Sequence, residues 1–287
     1  MLMNALCCQV ECPCGEECGL TLAYWAIRGL GQPCRLLLAY TQPAGKWCET
    51  FYEQGGEDAG FAKTCWTDAK FSASLASAAG GLDFPNLPYL MDEPRGLALT
   101  QSVAIMRHIA RVAPGKHLLG CGVREQALVD LLLEEVRDLK GRMTGMQYRL
   151  DVATDAGAKA FADYTQRFEN LPAALGRLDA FLAKHMHGGS RRGGWAVGSS
   201  EPTIADFLLF EYLEQARCWA PGSLDAHARL GAFRARFAAL PGVAEFLAAP
   251  QYEEGSAPRV VTGVPGGETF CTGFNNRHGK WRNYGKR

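Results

Sequence analysis

The sequence predicts an α/β plus all-α chain: a small α/β half over residues 19–115, followed by a helical bundle over residues 116–249. Residues 20–53 read as strand, helix and strand, and residues 87–112 as strand, strand and helix. From Arg124 onward the apolar residues recur only at helical spacing. Residues 1–18 form a cysteine-rich extension outside this plan, expected to be disordered, and residues 250–287 a tail in which the pattern lapses.

The first strand is read at residues 20–25, the turn at Arg28-Gly29-Leu30-Gly31, and a helix at residues 33–41, with Pro33 suited to its first turn. In that helix Leu36, Leu37 and Tyr40 are expected inward and Arg35 exposed. A weakly alternating run at residues 47–53 is the second strand, so the unit is a right-handed βαβ crossover. Residues 55–81, rich in Gly, Ala and Ser, read as irregular with one short helix. Strands at residues 89–91 and 97–99 and a helix at residues 101–112 complete a thioredoxin-like βαβ–ββα half.

After a linker at residues 114–123, a long amphipathic helix is expected at residues 124–148, with Leu128, Leu131, Leu132, Val136 and Leu139 inward. Residues 156–187 read as one helical stretch bent at Pro172, ending in His185 and His187. Thr203 and Asp206 form a capping box ahead of a strongly apolar central helix at residues 207–219. Short helices at residues 233–240 and 243–248 close the bundle.

Composition narrows function. Thirty basic and thirty acidic side chains give no net charge, which argues against general binding to nucleic acid or an anionic membrane. No apolar run reaches the length of a membrane span, and the N-terminus has no basic start followed by an apolar core. Eleven cysteines, five of them within the first 18 residues, fit no standard zinc spacing. Free thiols in a reducing cytoplasm are the expectation, with no metal and no cofactor.

Residues 84–111 (FPNLPYLMDEPRGLALTQSVAIMRHIAR) organise the chain. A cis bond at Leu87-Pro88 would turn the Leu87 N–H and C=O outward, where an extended peptide can pair with them as an added strand. Gln101-Ser102 stands at a helix N-terminus, which favours an anion. A short acidic peptide is the ligand these two features suggest. Lys63, Trp66 and Lys70 fall on one helical face and suit a terminal carboxylate, or else make a solvated face beside a half-buried Trp. Tyr24, at the end of the first strand, has a phenol that can donate to a thiolate, or a ring that simply packs in the core.

The same residues carry a family resemblance. FPNLPYL and TQSVAIMRHIAR, together with LAYWAIRGLGQPCRLLLAYT at residues 22–41, resemble the mu class of glutathione S-transferases, and the likeness spans residues 20–249. The resemblance implies a thioredoxin-like glutathione-binding domain and a helical domain with the electrophile site. Tyr24 would stabilise the thiolate of glutathione, a co-substrate. Trp25 and Leu30 match positions beside the peptide. Lys63, Trp66 and Lys70 match Arg, Trp and Lys at its glycine end, so the arginine position is here a lysine. Asn86, Leu87 and Pro88 line its middle, and Gln101 and Ser102 meet the γ-glutamyl carboxylate. Asp138 matches the acid that reaches the γ-glutamyl ammonium across a homodimer, and Phe84 the aromatic that docks into the second subunit. Tyr148, with Met143 and Met146, would face a small hydrophobic electrophile. The segment 72–81 is an insertion relative to the family pattern.

Detoxifying conjugation is the reading this implies. A glutathione-dependent isomerase or peroxidase on the same fold, and a non-enzymatic relative, stay open. A cysteine-based thiol-disulfide reductase is disfavoured because Cys34 falls inside the first helix. The tail, with its basic and aromatic end at residues 274–282, reads as a loosely packed cover over the electrophile pocket or as a nucleic-acid or phosphate contact.

Overall fold

The computed structural model describes residues 19–25, 27–42, 46–52, 63–149, 155–167, 170–186 and 194–248, together with 260–261 and 270–271. Its organising element is a four-stranded sheet in the order β2-β1-β3-β4. The strands are β1 (Leu20–Trp25), β2 (Trp47–Tyr52), β3 (Tyr89–Asp92) and β4 (Leu97–Thr100). β1 runs parallel to β2 across the helix α1 (Gln32–Thr41) and antiparallel to β3, which pairs antiparallel with β4. Both edges of β1 are therefore paired, and Leu22 and Ala23 are fully enclosed.

The pleat sends alternate residues to opposite faces. Leu20, Leu22 and Leu90 join the main core with α1 and α4 (Ser102–Val112). Ala23, Tyr89 and Met91 join a second cluster with Tyr24, Ile27, Tyr52, Trp66 and Leu87. That second cluster is roofed by α2 (Thr64–Ala69) and α3 (Ala73–Ser77). The insertion at residues 72–81 is thus ordered: Ser72 caps α3 by accepting from the Leu75 N–H at 3.2 Å, and a single 3₁₀ turn follows at Ala78–Gly80.

The helical half holds α5 (Gly122–Arg149), α6 (Asp155–Gln166), α7 (Leu171–His185), α8 (Ile204–Trp219), α9 (Ala228–Ala238) and α10 (Val243–Leu247). The main core runs without a break from Leu20 to Phe246, so the two halves share one apolar interior. α8 is its axis, packed on α5 and on α1. Its start is fixed by the capping acid: Asp206 Oδ2 accepts from the Thr203 N–H and hydroxyl, each at 2.7 Å, and Oδ1 accepts from the Ala196 N–H at 2.9 Å.

Three expectations are corrected, and two short strands are added. Arg35 is fully buried, because its guanidinium has partners inside the fold. On α5, Leu131 points to solvent and Leu133 takes the inward place. The stretch read as one helix bent at Pro172 is two helices, with Pro172 in the first turn of α7, where its missing N–H costs nothing. Part of the tail pairs as β5 (Val260–Val261) with β6 (Phe270–Cys271), and β6 lies against α8. The rest of the tail, and the extension at residues 1–18, lie outside the described residues.

Candidate functional site

Strand register gathers the site at one end of the sheet. The last β1–β3 pair is Ala23↔Tyr89, so Tyr24 follows and Pro88 precedes the paired residues at the same end of the sheet. The last β3–β4 pair is Tyr89↔Thr100, so Pro88 precedes and Gln101 and Ser102 follow the paired residues at that same end. The Leu87–Pro88 peptide bond is cis. Three stretches far apart in sequence thus end side by side: the phenol, the cis-proline turn and the start of α4.

Tyr24 is 5% exposed, and its oxygen accepts a 3.0 Å hydrogen bond from the Leu30 N–H. A hydroxyl that accepts one bond is a better donor of its own hydrogen. The turn comes this close only because of its glycines. A Cβ on Gly29 would stand 2.5 Å from the Tyr24 oxygen, and Gly29 has φ +44°, which L side chains rarely adopt. Arg35 braces the turn from below. Its Nη1 donates to the carbonyls of Ile27 (2.8 Å) and Arg28 (3.3 Å), its Nη2 to that of Trp25 (3.1 Å), and its Nε to Glu49 on β2 (2.5 Å). The guanidinium also lies 5.7 Å from the centre of the Tyr24 ring.

The Leu87 N–H is not unpaired: the preceding side chain, Asn86, accepts from it at 2.9 Å. Asn readily bonds its local backbone in this way. Gln101 is exposed and holds φ 71°, a region that costs a non-glycine residue about 1–3 kcal/mol and recurs at ligand sites. Ser102 opens the eleven-residue α4.

Around the other side, Trp66 is buried rather than open. It stacks on Tyr89 with centroids 6.1 Å apart and meets Tyr52 edge-on at 5.2 Å, while the Tyr52 and Tyr89 hydroxyls bond at 3.0 Å. It holds α2 to the sheet. Lys63 and Lys70 flank α2 at its two ends, Lys63 exposed and Lys70 half-buried with its ammonium 5.4 Å from the Phe71 ring centre. Trp25 is half-buried and edge-on to Tyr52 at 6.3 Å, and Leu30 is 42% exposed.

In the helical half Asp138 is 64% exposed on α5. Met143 is fully buried and packs in the main core, so it presents no open wall. Met146 and Tyr148 belong to α5, but their side chains lie outside the described residues. Phe84 is 75% exposed. His185 ends α7 against the Phe181 ring at 4.5 Å, and His187 lies outside the described residues.

Cys34 is buried, with its thiol 3.6 Å from the Ser102 carbonyl, and burial pushes it up to about 12, partly offset by Arg35. Such a thiol is not a nucleophile at neutral pH. Cys121 is also free, whereas Cys48 is disulfide-bonded, which departs from the expectation of free thiols throughout. One buried ion pair was not anticipated at all: Arg28 with Glu211, between the turn and α8. The available signal was Glu211 itself, an acid inside the apolar run FLLFEYL.

Comparison with known proteins agrees with this layout. Residues 138–250 match the family model for the glutathione S-transferase C-terminal domain. Glutathione S-transferase Mu 3 of Macaca fuscata fuscata is 34% identical over 242 residues, 82% of this chain and 91% of that protein. Glutathione S-transferase Mu 5 of Mus musculus is 32% identical over 269 residues, 92% of this chain and 96% of that protein. Among solved structures, the glutathione S-transferase Blo t 8 superposes with a TM-score of 0.66 at 27% identity, covering 86% of this chain and 99% of that one. The pi-class enzyme of Onchocerca volvulus gives 0.61 at 27% identity, covering 80% and 92%.

Proposed function

The chain belongs to the glutathione S-transferase family, mu-like in class, and from that membership and the geometry above we propose that it joins the glutathione thiolate to hydrophobic electrophiles with Tyr24 as the catalytic phenol. The single observation that carries the role of Tyr24 is its place: a phenol held by the Leu30 N–H, beside a cis-proline turn and the start of α4. Glutathione lies along the turn, and a carbonyl of the tripeptide takes the Leu87 N–H from Asn86. Its γ-glutamyl carboxylate meets Gln101 and Ser102 at the positive end of α4. Lys63 and Lys70 attract the glycine carboxylate, while Trp66 serves by packing. The phenol donates to the sulfur and holds it as thiolate, the thiol proton leaving to solvent. The thiolate then attacks the electrophilic carbon; a carbon–sulfur bond forms and the leaving group departs with its electron pair.

A second copy of the chain completes the site. Phe84, and Val123 and Leu131 on α5, are large apolar side chains left in water. A homodimer covers them and brings Asp138 to the partner's γ-glutamyl ammonium. Detoxification of apolar compounds in the cytoplasm is the setting this chemistry suits. Among the described residues, the thiols of Cys34 and Cys121 favour that compartment, and the Cys48 disulfide is the observation against it.

The test is conjugation of a chloronitrobenzene with glutathione by wild type and Tyr24→Phe. The variant loses about 100-fold in kcat/KM, the usual size for one positioned donor, with glutathione affinity nearly unchanged. A variant as active as wild type removes Tyr24 from the mechanism.

A further inference from the structure

Between the two halves lies a buried set of charges that the chemistry above does not use. Arg28 follows Tyr24 by four residues, yet its side chain turns away from its own half. Its Nε donates to Glu211 Oε1 at 3.0 Å and Oε2 at 3.2 Å, and its Nη2 to Oε2 as well. Glu211, on α8, is fully enclosed, and Arg28 is nearly so. Lys140 on α5 reaches the same region and donates to Gln215 of α8 at 3.1 Å. Burial pushes its ammonium down to about 8, Arg28 adds to the fall, and Glu211 opposes it. Next to these, Glu214 pairs with Arg217 (3.2 Å) and with Arg234. Burial raises the Glu214 carboxyl, but Arg28, Arg234 and Arg217 together hold it below the ordinary value.

Such a pair is a poor way to gain stability, because desolvating two ions consumes what their attraction returns. Its value here is geometric. The Arg28 carbonyl accepts from Gln32 N–H at 2.8 Å and from Arg35, so the backbone of the turn is held from the sheet side. Two residues on, Leu30 N–H rests on the Tyr24 oxygen. Arg28 itself is pinned from the opposite side by a two-oxygen clamp, which fixes direction as well as distance.

We propose that Glu211 and Arg28 are positioning residues for the thiolate-stabilising phenol: α8 of the helical half, through this clamp, keeps the Leu30 N–H on the Tyr24 oxygen. The proposal rests on the catalytic reading of Tyr24 and goes beyond it, since it puts control of the phenol in the other half of the chain.

Glu211→Gln keeps the shape and removes the charge; Arg28→Lys keeps the charge and removes the fork. Each is measured for folding by circular dichroism and for glutathione affinity by tryptophan quenching. The acidity of the bound thiol is read from ultraviolet thiolate absorption across pH. Expected for both is a native spectrum and affinity within about two-fold, with the bound thiol less acidic by about one pH unit, a tenfold loss of thiolate at lower pH. Glu211→Asp, which restores charge on a shorter arm, recovers part of that loss. If Glu211→Gln does not fold, Arg28→Lys and Glu211→Asp decide alone. In a Tyr24→Phe background the same changes add nothing further. A folded variant with unchanged thiol acidity overturns the proposal, as does an equal shift without the phenol. Either result leaves Tyr24 in place if Tyr24→Phe is itself impaired, whereas an unimpaired Tyr24→Phe removes the catalytic reading and this inference together.

Discussion

The two ends of the proposed peptide site are built in opposite ways. At the sulfur end the turn 27–31 is fixed from every side: Arg35 below, Glu211 across the halves, and the Tyr24 ring packed against its glycines. At the glycine end stand Lys63, exposed before α2, and Lys70, half-buried after it. Holding a reacting atom needs a geometry fixed before the ligand arrives, because small errors in placement are costly in rate. Attracting a carboxylate needs only charge nearby, which water screens and flexible side chains supply. The contrast separates residues that set rate from residues that set affinity.

The sharpest way to break this contrast is Gly29→Ala. The added methyl has no room beside the Tyr24 oxygen, and the positive φ is unfavourable for alanine. Conjugation should fall by about 100-fold, as if the phenol were lost, with glutathione affinity changed far less. Steady-state kinetics with varied glutathione reads both, and a fall in affinity alone would show that the turn only binds.

Next in size is an effect on stability. Lys140 holds its proton less tightly in the fold, about 8 against 10.5 in a free chain, because it is buried. Between those two pH values the unfolded chain keeps a proton that the folded chain has released, so stability rises with pH across that window. Below it the charge is a cost of up to about 3 kcal/mol. Lys140→Met removes the rise, which urea unfolding at about pH 7.5 and about pH 9.5 measures. A rise that persists in the variant assigns it to another group.

The smallest effects belong to the open end. Lys63→Ala should raise the KM for glutathione only about two- to five-fold and leave kcat alone, since an exposed pair contributes little. Added salt should weaken wild type and leave the variant less affected. Lys63→Arg, which supplies a two-pronged donor, should lower KM below that of wild type. A change in kcat for either would erase the distinction between the two ends.

What could be read from the sequence was what lies close together in it. The strand ends, the helix start at Ser102, the proline turn and the Thr203–Asp206 cap all depend on neighbours within a few residues. Arg35 was misread because its burial depends on Glu49 in another strand and on the backbone of the turn. Leu131 was misread because two registers of the Leu128–Leu133 run satisfy the same helical period, and packing against α8 chose between them. The Arg28–Glu211 pair spans 183 positions, and no local pattern joins its members. Trp66 also anchors α2 to the sheet, a packing role that only the fold shows, because Tyr52 and Tyr89 come from two separate strands.

That long pairing has a consequence for how the protein is made. A ribosome finishes the entire sheet, phenol and glycine turn included, before codon 211 is translated. Until α8 leaves the exit tunnel, the Arg28 guanidinium has no carboxylate to grip. A nascent or truncated chain ending before that helix can therefore own every group that touches glutathione and still hold the sulfur loosely. Competence arrives late, with a helix that never meets the tripeptide.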